Sequence, residues 1–225
     1  MILVLANEVN PEANYFVREL ASYLPDAAVH DYARDGGPRT VAAFEDIESV
    51  GDAGDVDGVV LSGSTAGVYE SEDYPWMDDQ RALVRELVDE EVPTLGVCFG
   101  HQLVNDALGG TVEHRGLKTE LVSLDLVDDP LFSGVAETVP MVHGDVVVDA
   151  GTRMEPIASA DYYPLVATRH ENAPLWTTQF HPEFTEALHD RVRCDFGWSD
   201  TDRSFDEVTA TRVFENFRKL ADDSA

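Results

Sequence analysis

Two short stretches of the sequence hold the residue types of covalent catalysis. The first, Thr94-Leu95-Gly96-Val97-Cys98-Phe99-Gly100-His101-Gln102, places a cysteine between two glycines, each two positions away. This is the Gly-x-nucleophile-x-Gly spacing of a nucleophile elbow, in which a buried strand turns sharply into a helix. Such a turn strains the backbone at the nucleophile, and a Cβ at either flanking position would crowd it. The free N–H groups and positive dipole end of the following helix then face the sulfur and favour its anionic form. A lone cysteine is equally at home as a small buried hydrophobe beside two packing glycines. What an elbow needs in addition is a base. His181-Pro182-Glu183 offers one, directly after an apolar run over residues 175–180, and the proline restricts how the two side chains project. Together Cys98, His181 and Glu183 could carry out acyl transfer, with the thiol as nucleophile, the imidazole as base and the carboxylate orienting the ring. Taken alone, His181 and Glu183 also read as a loop histidine beside a surface acid.

These side chains meet only if the intervening elements bring strand ends together. Residues 1–6 form an apolar first strand, and Asn10-Pro11-Glu12 is a helix start, with an N-cap, a proline at the first helical position and an acid in the first turn. Phe16, Leu20 and Leu24 follow at helical spacing. Residues 27–32 read as a short outer strand, and residues 46–57 are acidic and weakly patterned. Gly58-Val59-Val60-Leu61 is a buried strand by its continuous apolar run. It empties into the loop Ser62-Gly63-Ser64-Thr65-Ala66-Gly67, which alone is no more than a strand-to-helix connection. A helix from about Pro75 shows Trp76, Met77, Leu83, Val84, Leu87 and Val88 on one face, and Pro93 stops the chain before the strand that ends at Cys98. Gly109-Gly110 suit the close of the next helix.

From Thr111 onward short apolar runs over residues 121–127, 139–142, 146–148, 165–168 and 175–180 alternate with turn residues, a pattern of added β structure. Ser204-Phe205-Asp206-Glu207 is a capping box that opens a last helix carrying Val213, Phe214, Phe217 and Leu220. The alternating first half predicts an α/β fold, flavodoxin-like, with a mostly parallel central sheet and helices on both faces, followed by extra β structure. Sites in such sheets gather at the carboxyl ends of the strands, where Cys98 and the loop at residues 62–67 both fall. The whole of residues 1–225 reads as one domain, with a helical extension over about 185–225.

Composition excludes several classes of function. With 44 acidic and 15 basic residues, formally −29, the surface repels phosphate backbones, so nucleic-acid binding is not expected. The acids are spread among normal core segments, which points to a halophilic protein whose repulsion is relieved by salt. Cys98 and Cys194 show no metal-ligand or disulfide spacing, and no metal site is expected. No apolar run reaches membrane-spanning length and no leader opens the chain, so the expectation is a cytoplasmic protein without a membrane partner.

The order Leu61-Ser62-Gly63-Ser64, then Gly96-Val97-Cys98-Phe99-Gly100-His101-Gln102, then Met141-Val142-His143-Gly144-Asp145, then His181-Pro182-Glu183 resembles the class I glutamine amidotransferases, and most of all the amidotransferase domain of GMP synthetase and its free-standing relatives. The resemblance spans residues 1 to about 185. It implies that Cys98 attacks the side-chain amide of glutamine to form a thioester, with His181 as base and then acid and Glu183 orienting it. It further implies an oxyanion held by the backbone N–H groups of Ser64 and Phe99, and a glutamine gripped by Gly63, Gln102 and the segment His143, Gly144 and Asp145. Many members have glycine and proline where this chain has Ser64 and Thr65. No cofactor is implied. The chain has neither a GxxxxGK[ST] loop nor a GxGxxG fingerprint, so any ATP-dependent step falls to a separate synthetase subunit or acceptor enzyme. Three readings stay open: an amidotransferase that delivers ammonia to a separate enzyme, a free-standing hydrolase of γ-glutamyl amides or peptides, and a non-catalytic binding or regulatory relative. The complete Cys-His-Glu set argues against the last.

Overall fold

The computed structural model describes residues 1–50 and 55–223, so part of the acidic stretch at 46–57 lies outside the described residues. In chain order the main elements are β1 (Ile2–Ala6), α1 (Tyr15–Ser22), β2 (Ala28–Asp31), α2 (Tyr32–Asp35), β3 (Gly58–Leu61), α3 (Trp76–Asp89), β4 (Thr94–Val97) and α4 (Phe99–Ala107). There follow β5 (Thr111–Ser123), β6 (Asp125–Leu126), β7 (Thr138–Asp149), β8 (Met154–Ala160), β9 (Tyr163–His170), β10 (Leu175–Thr178), α5 (Glu186–Phe196) and α6 (Arg212–Asp222).

The central sheet has the order β2-β1-β3-β4-β10-β9-β8-β6. Its first five strands run parallel, in the flavodoxin-like order, and β9, β8 and β6 extend it by antiparallel pairing. The pleat sorts the apolar residues between two cores. Ile2 and Val4 of β1, with Val60 of β3, face one side, where Leu20 and Leu24 and the α6 residues Val213, Phe214 and Phe217 cover them. Leu3, Leu5, Val59 and Leu61 face the other, against Leu83, Val84 and Leu87 of α3 and Leu103 and Val104 of α4. The fold is therefore α/β with helices on both faces and an added antiparallel part.

Three local differences from the sequence reading have physical causes. The Asn10-Pro11 start opens a 3₁₀ turn, Pro11–Ala13, with Asn10 accepting from the Glu12 N–H, and α1 follows it. The apolar runs at 139–142 and 146–148 are one strand, β7, because the polar His143-Gly144-Asp145 between them stays extended and pairs with β5 across a bulge at His114/Lys118. Ser204 caps a 3₁₀ turn, Phe205–Glu207, rather than α6, which begins at Arg212. The capping box is not closed: Glu207 accepts from the Thr138 hydroxyl at 3.4 Å instead of reaching back to Ser204.

Candidate active site

β4 lies between β3 and β10, all three parallel, so their carboxyl ends share one edge of the sheet. That edge carries Ser62-Gly63-Ser64 after β3, Cys98 after β4 and His181 beyond β10. The long β7 supplies the fourth wall through Val142, His143, Gly144 and Asp145. Between them lies a cavity of about 290 Å³, lined also by Glu8, Phe16, Thr65, Tyr69 and Gln102.

Cys98 has φ 53° and ψ −105°, a strained conformation for a residue with a Cβ. The strain follows from the glycines, although not through crowding of the sulfur. A Cβ on Gly100 would stand 2.3 Å from the Leu61 carbonyl oxygen, and one on Gly96 would stand 2.6 Å from the Gly100 oxygen. The glycines let α4 press against the ends of β3 and β4, and the backbone at Cys98 absorbs the turn.

His181 is buried, its Nδ1 2.8 Å from Glu183 Oε1 and its Nε2 3.2 Å from the Val142 carbonyl oxygen. A carboxylate and a carbonyl can only accept, so both ring nitrogens carry a proton in this arrangement. Burial alone would lower the His181 pKa. The opposing charges of Cys98 and Glu183, with the hydrogen bond to Glu183, hold it well above the ordinary histidine value. The Cys98 sulfur lies beside the same Val142 carbonyl, at 3.7 Å. Glu183 is 1% exposed, and its Oε2 has no hydrogen-bond partner among the described residues. The ring of Phe16 packs on the His181 imidazole with centroids 4.7 Å apart.

Gln102 is buried and donates from Nε2 to the Asp145 carbonyl and to Gln179 Oε1, each at 3.1 Å. His143 Nδ1 also donates to the Asp145 carbonyl, at 3.0 Å, and its Nε2 meets the Tyr162 hydroxyl at 3.0 Å. Burial lowers the His143 pKa to about 4, leaving it neutral at pH 7. Asp145 turns its carboxylate to His114 Nδ1 at 2.7 Å and to the Tyr69 hydroxyl at 3.3 Å. The cavity thus holds Gly63, Ser64, Cys98, Gln102, His143, Gly144, Asp145 and His181 in one place, with Glu183 behind His181 and Phe99 N–H at the first turn of α4. His101 points away from the cavity: it is buried between the Thr177 and Tyr163 hydroxyls, at 2.7 and 2.9 Å.

Two site residues escape the sequence reading. Gln179, fully buried at the end of β10, donates to the Cys98 sulfur at 3.6 Å. A signal existed, an amide closing an apolar strand two residues before His181. Glu8 reaches the cavity from the end of β1, and nothing in its spacing announces it.

The family described as glutamine amidotransferase class-I matches residues 37–195, and the chain belongs to that family. Within it, the sequence is similar to the GMP synthases. The GMP synthase of Saccharomyces cerevisiae is 37% identical over 140 residues, 60% of this chain and 25% of that protein. The one of Streptomyces coelicolor is 33% identical over 137 residues, 58% of this chain and 24% of that protein. The chain accordingly spans about a quarter of the length of these curated relatives. Among solved structures, a glutamine amidotransferase from Thermotoga maritima superposes with a TM-score of 0.67 at 19% identity, covering 100% of this chain and 97% of that one. A glutamine amidotransferase from Methylobacillus flagellatus does so with a TM-score of 0.69 at 18% identity, covering 99% and 93%. These two likenesses establish the fold.

Proposed function

We propose that this chain hydrolyses the side-chain amide of glutamine and delivers the ammonia to a separate acceptor enzyme of the GMP-synthetase kind. The observation that carries the proposal is the arrangement at the strand ends, a strained cysteine beside a buried, charge-supported histidine. Cys98 attacks the amide carbon. The oxyanion is held by the Ser64 and Phe99 N–H groups, and His181 gives its proton to the departing ammonia. The γ-glutamyl thioester so formed is hydrolysed by water, with His181 now acting as base and Glu183 holding the ring in place. Gly63, Gln102 and the His143–Asp145 segment grip the amino-acid end of the substrate.

The chain acts here as one domain. The packing of α6 supports that reading: Val213, Phe214 and Phe217 are fully buried in the core, and Asn216 donates to the Leu131 and Ser133 carbonyls at 2.9 Å each. No metal or cofactor enters the scheme, and the ATP-dependent half of any synthesis belongs to the partner.

The experiment compares ammonia release from glutamine with release of the amine from γ-glutamyl dipeptides, with and without a GMP-synthetase partner, in high salt. Glutamine as the preferred substrate, with ammonia incorporated by the partner, supports the proposal. Preference for γ-glutamyl peptides, with no response to the partner, replaces it with the free-standing hydrolase.

A further inference from the structure

The loop that presents Ser64 is tied to the end of β1 by two sets of hydrogen bonds. The first sets the Gly63–Ser64 peptide. Ser62 Oγ accepts from the Asn7 N–H at 2.9 Å and donates to the Gly63 carbonyl at 3.0 Å, while Asn7 is itself held through its side chain by Gln80 at 2.8 Å. The peptide is trans, so its carbonyl and N–H point in opposite directions. β1 and β4 flank β3 on opposite sides. A Gly63 carbonyl held on the β1 side therefore leaves the Ser64 N–H directed toward β4 and Cys98. No acceptor among the described residues takes up that N–H.

The second set is centred on Glu8. Its Oε1 accepts from the Thr65 hydroxyl at 2.5 Å, from the Thr65 N–H at 3.3 Å and from the Asn10 N–H at 2.8 Å. The residue is 8% exposed and lines the catalytic cavity. A carboxylate placed there is costly to bury, and burial raises its pKa against the pull of those hydrogen bonds. The cost has a structural return, because one oxygen fixes both the N–H and the side chain of the residue next to Ser64. The Thr65 hydroxyl adds a link that its backbone N–H alone would not make.

We propose that Glu8 is a positioning residue that, through Thr65, locks the oxyanion loop of the isolated chain with the Ser64 N–H presented to the Cys98 side. This rests on the acyl-transfer reading of the site, without depending on glutamine as the substrate. An oxyanion forms when sulfur attacks a carbonyl carbon and none forms when sulfur displaces a halide at a saturated carbon. The two reactions at the same thiol therefore separate the loop from the nucleophile.

In a Cys194→Ser background, Cys98 is acylated with p-nitrophenyl acetate and, separately, alkylated with iodoacetamide. In the first reaction sulfur adds to the ester carbonyl and p-nitrophenolate leaves; in the second sulfur displaces iodide. Loss of a whole oxyanion donor costs about 10²–10³-fold. Loosening the donor in Glu8→Ala or Thr65→Val is expected to slow acylation at least about tenfold, with alkylation within about twofold of the parent. Glu8→Gln keeps an acceptor oxygen and is expected to restore acylation to within about threefold. With glutamine, Glu8→Ala lowers kcat and leaves KM unchanged. Equal acylation in Glu8→Ala and the parent overturns the proposal, as does a parallel fall in both reactions or failure of Glu8→Gln to rescue. Acylation that follows this pattern in a protein that releases no ammonia from glutamine upholds the role of Glu8 and removes glutamine as the substrate.

Discussion

A histidine whose two ring nitrogens both face acceptors holds two protons, and His181 does so with a sulfur beside it. Replacing Cys98 by alanine removes the proposed nucleophile and creates little cavity. Turnover should fall by at least about 10⁴-fold with the melting temperature nearly unchanged, and His181→Ala should be as severe. Glu183→Gln keeps a hydrogen-bond acceptor for the ring and loses the charge, so its loss should be smaller by about tenfold or more. Steady-state ammonia release with circular dichroism melts checks all three, and near-normal turnover in Cys98→Ala removes it as nucleophile. The neutral histidines give a separate, pH-dependent signature. Burial, with the nearby His143, lowers the His101 pKa to about 3, and burial lowers His143 to about 4. In the unfolded chain both titrate near 6.5. The unfolded state therefore binds more protons between these values, and stability should fall as pH drops from about 6.5 toward 3. His181 acts the other way: its raised pKa adds stability that is fully present below about 6.5 and is lost as pH rises through its folded-state value. Denaturant midpoints in the acid range should show His101→Asn with a shallower pH slope than the parent. An unchanged slope contradicts the assignment of His101 as a buried neutral group.

At the scale of elements, the glycines of the elbow act between α4 and the sheet. A Cβ on Gly100 meets backbone atoms of Leu61 at both 2.3 and 3.0 Å, which no rotamer change can relieve. Gly100→Ala should cost about 1–3 kcal/mol of stability or more and should also depress turnover, because the displaced atoms belong to the strand that leads into the proposed oxyanion loop. Urea titration beside the ammonia assay tests this, and a variant of parental stability and rate contradicts it. The same elements show what a sequence can disclose. Apolar runs such as Gly58–Leu61 announce themselves by continuity, the α3 face by its helical period, and the elbow by glycines that the close approach of α4 to the sheet demands. β7 was not legible as one strand, since its polar centre interrupts the apolar pattern while the backbone continues to pair with β5. Ser204 misled because a local cap competes with whatever tertiary partner its glutamate finds. Glu8 was invisible for a different reason, being one polar residue beyond a strand end that only the sheet order brings to the cavity, while Gln179 left the faint signal of an amide closing an apolar run.

For the whole molecule the dominant quantity is charge. A formal −29 on 225 residues makes the folded state repel itself at low ionic strength, and salt screens that repulsion. The melting temperature should therefore rise steadily with KCl up to molar concentration, and a flat profile contradicts adaptation to salt. Among the described residues no helix is long and apolar enough to cross a membrane. The sequence similarity to GMP synthases covers about a quarter of their length. The covalent step at Cys98 is central to the proposed function. The parent protein and Cys98→Ala, mixed with glutamine in molar KCl and quenched in acid within the first turnovers, can be weighed intact by mass spectrometry. A γ-glutamyl adduct on the parent should map to the peptide containing Cys98, form as ammonia is released and be absent from Cys98→Ala. Ammonia released from glutamine at equal rates by both proteins, with no adduct on either, would contradict that step.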